Sequence, residues 1–360
     1  MRTLVALILL GLAGHASAQY CGAYQTTVTT LQAGGRVDWA RSHGLIAYDR
    51  APQTNAYFDV HVRSLDGSVN YCLTCDATVR QLADLRKNKG NPAWHPSGDY
   101  IVFQSEIDTS DVAPNVSSPG RGVNNVLWLT DARGTRFTPL TSASADTPAT
   151  GVLHPHFSED GARLSWTEMY EPFSPVIPGK MFGYWRLKSA RFVTGDGGPR
   201  LEDIETYQPM VEGFYENHGF SPDGALLLFS SNAARSGYLD RLNADIFTLD
   251  LASGALVRLT DSGYNEHASY FPGARRILWM SNRGNLQRGT DLWVMDAPDG
   301  MRPERLSFFN RRGCPEAYPD RAVVADSSIN AAGDKVVVYV QDELLGYAGS
   351  IVLVELPFPF

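Results

Sequence analysis

The chain has 360 residues, with 31 Lys and Arg against 39 Asp and Glu and a formal net charge of −8. That acidity argues against a nucleic-acid partner, because phosphate backbones reward basic patches. The 33 Gly and 21 Pro, with 7 Trp, 16 Tyr and 16 Phe, suit short strands and many turns in an all-β unit.

The N-terminus sets the compartment. Arg2 precedes an apolar run from Leu4 to Leu12, and Ala16-Ser17-Ala18 forms a small-residue cleavage site. The run is too short to span a bilayer, and no later stretch is long enough. Residues 1–18 read as a signal peptide cleaved near Ala18. Residues 19–360 read as one exported domain, periplasmic or secreted, monomeric and without a membrane span.

Next comes a β-branched strand, Gln25-Thr-Thr-Val-Thr-Thr-Leu31, and then a repeat. Asn91-Pro-Ala-Trp-His-Pro-Ser-Gly98 runs into the apolar Tyr100 to Gln104. His154-Pro-His-Phe-Ser-Glu-Asp-Gly161 leads to Arg163–Thr167, and Asn217-His-Gly-Phe-Ser-Pro-Asp-Gly224 leads to Leu226–Ser230. His267-Ala-Ser-Tyr-Phe-Pro-Gly273 leads to Arg276–Met280, and weaker copies stand at Arg36-Val-Asp-Trp39 and Asp326-Ser-Ser-Ile329. Each unit has a second hairpin, clearest in Asp245-Ile-Phe-Thr-Leu-Asp250, Ser253-Gly254 and Ala255–Thr260. Ser-Gly and Asp-Gly supply the positive φ that such turns need.

Two hairpins make a four-stranded sheet that cannot bury both faces alone, so the units stack around an axis. The anchors Trp39, Trp94, Phe157, Phe220, Tyr270 and Ile329 imply an all-β, six-bladed propeller of antiparallel sheets; a degenerate seventh blade inside an insertion is the alternative. The last unit, ending at Ser350–Glu355, lacks a strand, and Gln25–Leu31 supplies it, removing a sheet edge. Cys21 then neighbours Cys314 in the closed ring and is expected to pair with it. Cys72 and Cys75 are followed by Asp76, not by the His of haem attachment, and are expected to pair with each other or stay reduced.

Phe220-Ser-Pro-Asp-Gly224, and Asp245–Asp250 with Arg258-Leu-Thr260, resemble the propeller repeats of TolB-type proteins. The resemblance runs from about Trp39 onward and implies the fold more than an activity. TolB carries an α/β domain ahead of its propeller, and too few residues precede Trp39 here to build one. Prolyl-oligopeptidase-type enzymes share the repeats, but no Gly-x-Ser-x-Gly elbow is present. Walker A, Rossmann and His-Glu-x-x-His patterns are also missing.

Repeat alignment places Arg36, Asn91, His154, Asn217, His267 and Asp326 at one equivalent position, where the innermost strand of each blade begins. Glu216 and Glu266 precede Asn217 and His267, and His218 follows Asn217. The plain reading is polar groups capping strands around a wet channel mouth. The sharper one is a ligand site, with His154 and His267 holding a divalent cation and His156 joining them if the segment is extended. The long connections from Ile107 to Asn124, Tyr170 to Gly183, Asn232 to Ala244 and Asn282 to Gly289 open on the same face. Tyr170, Tyr184, Trp185, Arg235, Tyr238 and Arg241 there suit sugars or peptides.

Three functions follow. The first is a non-catalytic binding or scaffold protein for an envelope protein or a glycan. The second is an exported polysaccharide lyase, since oligogalacturonate lyases have similar repeats and a His-built metal site; His154, His218 and His267 would be ligands or base, and Arg36 would neutralise a uronate. The third is a lactonase or other hydrolase with calcium on Glu216, Glu266 and Asp326.

Overall fold

Leu227 and Phe229 point to one side of their strand and Leu228 to the other, and all three are fully buried. Leu227 and Phe229 pack with Met169, Trp185 and Leu187 of the preceding blade, whereas Leu228 packs with Tyr270, Ile277 and Trp279 of the following one. Such strands are apolar throughout because both faces of each sheet are covered. Six hydrophobic clusters result, one at each junction between neighbouring blades.

The structure is a computed structural model. It describes residues 21–22, 24, 26–52, 57–84, 86–107, 116–142, 151–172, 174, 180, 182–234, 243–273, 275–285, 289–341, 349–357 and 359–360. The expected signal peptide lies outside the described residues. Among them there is no helix, hence none long and apolar enough to cross a membrane.

Six four-stranded antiparallel sheets form a six-bladed propeller. From channel to rim, blade one holds Val37–Trp39, Ile46–Arg50, Asp59–Arg63 and Asn70–Cys72. Blade two holds Lys89–Trp94, Tyr100–Glu106, Asn125–Asp131 and Phe137–Pro139, and blade three Val152–Phe157, Arg163–Glu171, Tyr184–Val193 and Arg200–Tyr207. Blade four holds Tyr215–Phe220, Leu226–Ser231, Asp245–Asp250 and Leu256–Arg258. Blade five holds Asn265–Tyr270, Arg276–Ser281, Asp291–Asp296 and Glu304–Arg305.

Blade six takes Val323–Ile329, Lys335–Gln341 and Gly349–Glu355 from the C-terminal region and its outer strand, Thr27–Ala33, from the N-terminal region. Thr27 lies opposite Glu355 and Ala33 opposite Ser350. The strand thus runs to Ala33, past the Leu31 expected from sequence, while Gln25 lies outside the described residues. Cys21 is bonded to Cys314 across 293 residues of sequence, and Cys72 to Cys75. The innermost strands line the central channel, and the side chains aimed into it define the site.

Candidate site in the propeller channel

A repeated bulge aims the channel side chains. Pairing slips by one residue between Gly90 and Ala93, Leu153 and His156, Asn217 and Phe220, and Glu266 and Ser269. A bulge inserts one residue and turns its side chain away from the ladder. Asn91, His154 and His267 take φ of 51°, 49° and 51° at that point.

Of the six aligned positions, three converge and three tie neighbouring strands together. Arg36 Nη1 lies 2.9 Å from His154 Nε2 and 3.3 Å from His267 Nδ1. The His154 and His267 rings stack with centroids 5.2 Å apart. Asn91 instead donates its backbone N–H to Asp49 Oδ2 at 2.8 Å, and Asn217 Nδ2 donates to the His154 carbonyl at 2.8 Å. Asp326 Oδ2 accepts the Val37 N–H at 3.2 Å. Each of these last bonds joins the inner strand of one blade to a neighbouring blade.

Around the converging three stand Glu216, His218 and Glu266. His154 Nε2 lies 3.1 Å from Glu216 Oε1, and the two glutamates are hydrogen-bonded to each other. The Tyr264 hydroxyl donates to Glu266. His218 stands 5.9 Å from His267, ring to ring, and one of its nitrogens is held by the Asn217 backbone. Its Nε2 is buried and has no partner among the described residues.

These groups lie inside the channel, not at a wet mouth. Arg36, Asn91, His154, Glu216, Asn217, His218, Glu266 and His267 are each exposed by 8 % or less, while Asp326 is partly exposed. Burial first, and the Arg36 charge second, hold His154 and His267 neutral, well below the usual imidazole range. Burial also keeps His218 neutral, lifts Glu216 to about 7, and drives Glu266 well above the carboxylate range, where Glu216 pushes it further. Desolvation raises Asp326 to about 6.

The cluster divides the channel into two chambers. The upper one, about 120 Å³, opens among the long connections and is floored by Arg36, Glu216, Glu266 and Tyr264. The lower one, about 390 Å³, opens among the tight hairpins on the opposite face. His154, His156, His218 and Asp326 face only the lower chamber, and His267 faces both. The aligned ring therefore does not serve one face, as sequence alignment alone implies. The bulges send consecutive side chains to opposite ends of the channel.

His154, His218 and His267 bring ring nitrogens within 4.8 Å of one another, and Glu216, Glu266 and His267 do the same. Three imidazoles from three blades suit a borderline transition-metal ion, and the unpartnered His218 Nε2 fits that use. Arg36 now holds lone pairs of the other two, so a cation requires its guanidinium to withdraw into the upper chamber. His156 does not complete a His-x-His chelate: the bulge around Pro155 leaves its ring 6.4 Å from His154 and outside the trio. Asp326 stands apart from Glu216 and Glu266, so the three do not form one carboxylate centre.

Trp185 lines the upper chamber, whereas Tyr170 and Tyr184 pair at 6.2 Å without lining either chamber. Arg235, Tyr238 and Arg241 lie outside the described residues. Two groups had not been singled out from sequence, Asp49 and Tyr264. Asp49 is lifted to about 7 by burial and accepts the backbone N–H groups of Arg36 and Asn91. Gly35 and Gly90 leave the space it fills, since a Cβ at either would come within 2.6 Å of its carboxylate. A glycine before each of two aligned polar residues was the available signal.

No family model and no curated protein matches the sequence. Solved structures do resemble it. TolB from Acinetobacter baumannii has 16 % identity and a TM-score of 0.52 over 89 % of this chain and 65 % of that one. An oligogalacturonate lyase in complex with manganese has 12 % identity and a TM-score of 0.52, over 94 % and 97 % of the two chains. The gluconolactonase XC5397 from Xanthomonas campestris has 16 % identity and a TM-score of 0.53, over 95 % and 93 %. At these identities the likeness defines the fold, which is that of a TolB-like propeller.

Proposed function

We propose that the protein is an exported, metal-dependent propeller enzyme acting on an anionic polysaccharide or its fragments through the lower chamber. The observation carrying this reading is the His154, His218 and His267 trio, with one buried nitrogen left without a partner. A scaffold that works by its surface has no need of so many buried, perturbed titratable groups, which cluster at reactive sites. A bound cation would polarise an oxygen of the sugar and acidify the adjacent C–H or water.

The chain's own residues fit the remaining tasks. His156 is held neutral by burial, faces the same chamber beside the trio, and would take the proton. Trp39 and Trp94 contribute edges to the chamber wall, and Arg41, paired with Glu159, would meet a sugar carboxylate by exchanging that partner. The manganese-bound oligogalacturonate lyase of the same fold supports this choice, and the two disulfides fit an oxidising compartment. The likeness to TolB favours a second reading, an envelope binding protein that holds a ligand without turning it over.

Elemental analysis of the purified protein, beside cleavage assays on polygalacturonate and alginate, separates the two. A stoichiometric transition metal that is lost in His218→Ala, with cleavage lost on chelation, is the expected result. A metal-free protein without cleavage activity overturns the enzyme reading and leaves the binding one.

A further inference from the structure

The upper chamber is a site of a different kind. Arg36 is only 8 % exposed, and Nη1 alone makes its side-chain hydrogen bonds, both to neutral imidazoles. Among the described residues no carboxylate pairs with the guanidinium, and nothing accepts from Nε or Nη2. Neither nitrogen is sealed off as a buried orphan, and Arg36 lines the upper chamber and not the lower. A desolvated guanidinium with an open two-nitrogen edge matches a carboxylate, which it grips with two parallel bonds.

The surroundings complete the recognition. Gly120 stands against that edge, where a Cβ would lie 3.0 Å from Nη2. Glu216 and Glu266 face the chamber but share a hydrogen bond, and Glu266 also accepts from Tyr264. Above this floor the walls are mainly apolar, with Leu153, Phe182, Trp185, Phe214 and Met280, and Arg121 and Gln341 are their polar members. A volume of about 120 Å³ holds about four waters and approaches the roughly 150 Å³ that admits a benzene ring, while it is too little for a peptide or a glycan chain.

We propose that the upper chamber binds a small organic carboxylate with an apolar body, such as a monocyclic aromatic or alicyclic acid, its carboxylate on the Nε and Nη2 edge of Arg36. The site needs no metal and lies on the side of Arg36 that faces away from the lower chamber.

Calorimetric titration of the chelator-treated protein with benzoate, phenylacetate and cyclohexanecarboxylate tests this, each acid run beside its neutral amide. Saturable binding is expected, with each amide weaker by roughly tenfold or more, the worth of a charged hydrogen bond. Arg36→Gln should show the same loss. Gly120→Val, at an exposed backbone position, should weaken binding with the melting temperature unchanged, which keeps the test valid if Arg36→Gln unfolds. Amides that bind as well as the acids, or no saturation by any acid at millimolar concentration, overturn the proposal. Saturation in untreated protein that is absent after chelator treatment places the carboxylate on a metal instead and also overturns it.

Discussion

Arg36 of blade one and His154 of blade three, 118 residues apart in sequence, meet at 2.9 Å inside the channel. A guanidinium stays charged at any accessible pH, so the imidazole beside it must remain neutral and accept the hydrogen bond. His267 makes the second such contact at 3.3 Å. Arg36→Met removes a charge that depresses both imidazoles. Their titration midpoints, followed by NMR, should therefore move to higher pH. Unchanged midpoints would mean that burial alone holds them neutral.

Stability should depend on pH through Glu216 with a definite sign. The group titrates near its ordinary 4.5 when unfolded and at about 7 when folded. The folded state holds the proton more tightly, so this contribution is full below about pH 4.5 and is lost as pH rises through 7. The loss is at most about 3 kcal/mol. The depressed imidazoles of His154, His218 and His267 act oppositely: their contribution is full above pH 6.5 and fades as pH falls. Glu216→Gln should accordingly gain stability relative to wild type between pH 5 and pH 8. Melting curves that stay a constant distance apart across that range would refute the assignment.

Anchors and channel residues should separate in their effects. Phe220 packs in the junction of blades three and four, with Arg163 over its ring at 4.6 Å. Phe220→Ala should cost about 3–5 kcal/mol through the cavity it leaves. His218→Ala removes one nitrogen that bonds nothing and one held by the Asn217 backbone, so it should cost about 1–2 kcal/mol, less than the anchor, while abolishing metal retention. Chemical denaturation beside metal content decides it, and severe unfolding of His218→Ala would make that residue structural.

Closure of the ring should be cooperative. A chain starting at Gly34 lacks the strand Thr27–Ala33 and exposes the edge of Gly349–Glu355. Self-association and a lower melting temperature should follow. Cys21→Ser should cost up to about 5 kcal/mol, because the disulfide spans 293 residues of chain. A monomeric truncation with the full-length melting temperature would show that blade six is complete without its outer strand.

The sequence by itself determined the repeat and its consequences. Anchors such as Phe220 and Trp94 recur with the turn chemistry Pro-Asp-Gly or Pro-Ser-Gly, and a four-stranded unit with two apolar faces has to stack. Ring closure by a strand near Thr27, and the meeting of Cys21 with Cys314, follow from the missing strand of blade six. These are periodic and local signals, readable one blade at a time. The direction of each channel side chain was not. Arg36, His154 and His267 occupy equivalent positions with Asn91, Asn217 and Asp326, yet the first three converge while Asn217 and Asp326 bond backbone of a neighbouring blade and Asn91 bonds the Gln104 side chain of its own. One bulged residue in the inner strands of blades two to six, and none in blade one, decides whether a side chain meets the upper chamber, the lower chamber or the next blade, and an alignment of repeats does not encode that rotation. Proton sharing between Glu216 and Glu266, and the neutral imidazoles beside Arg36, arise from desolvation by six blades together. Only the closed ring supplies it.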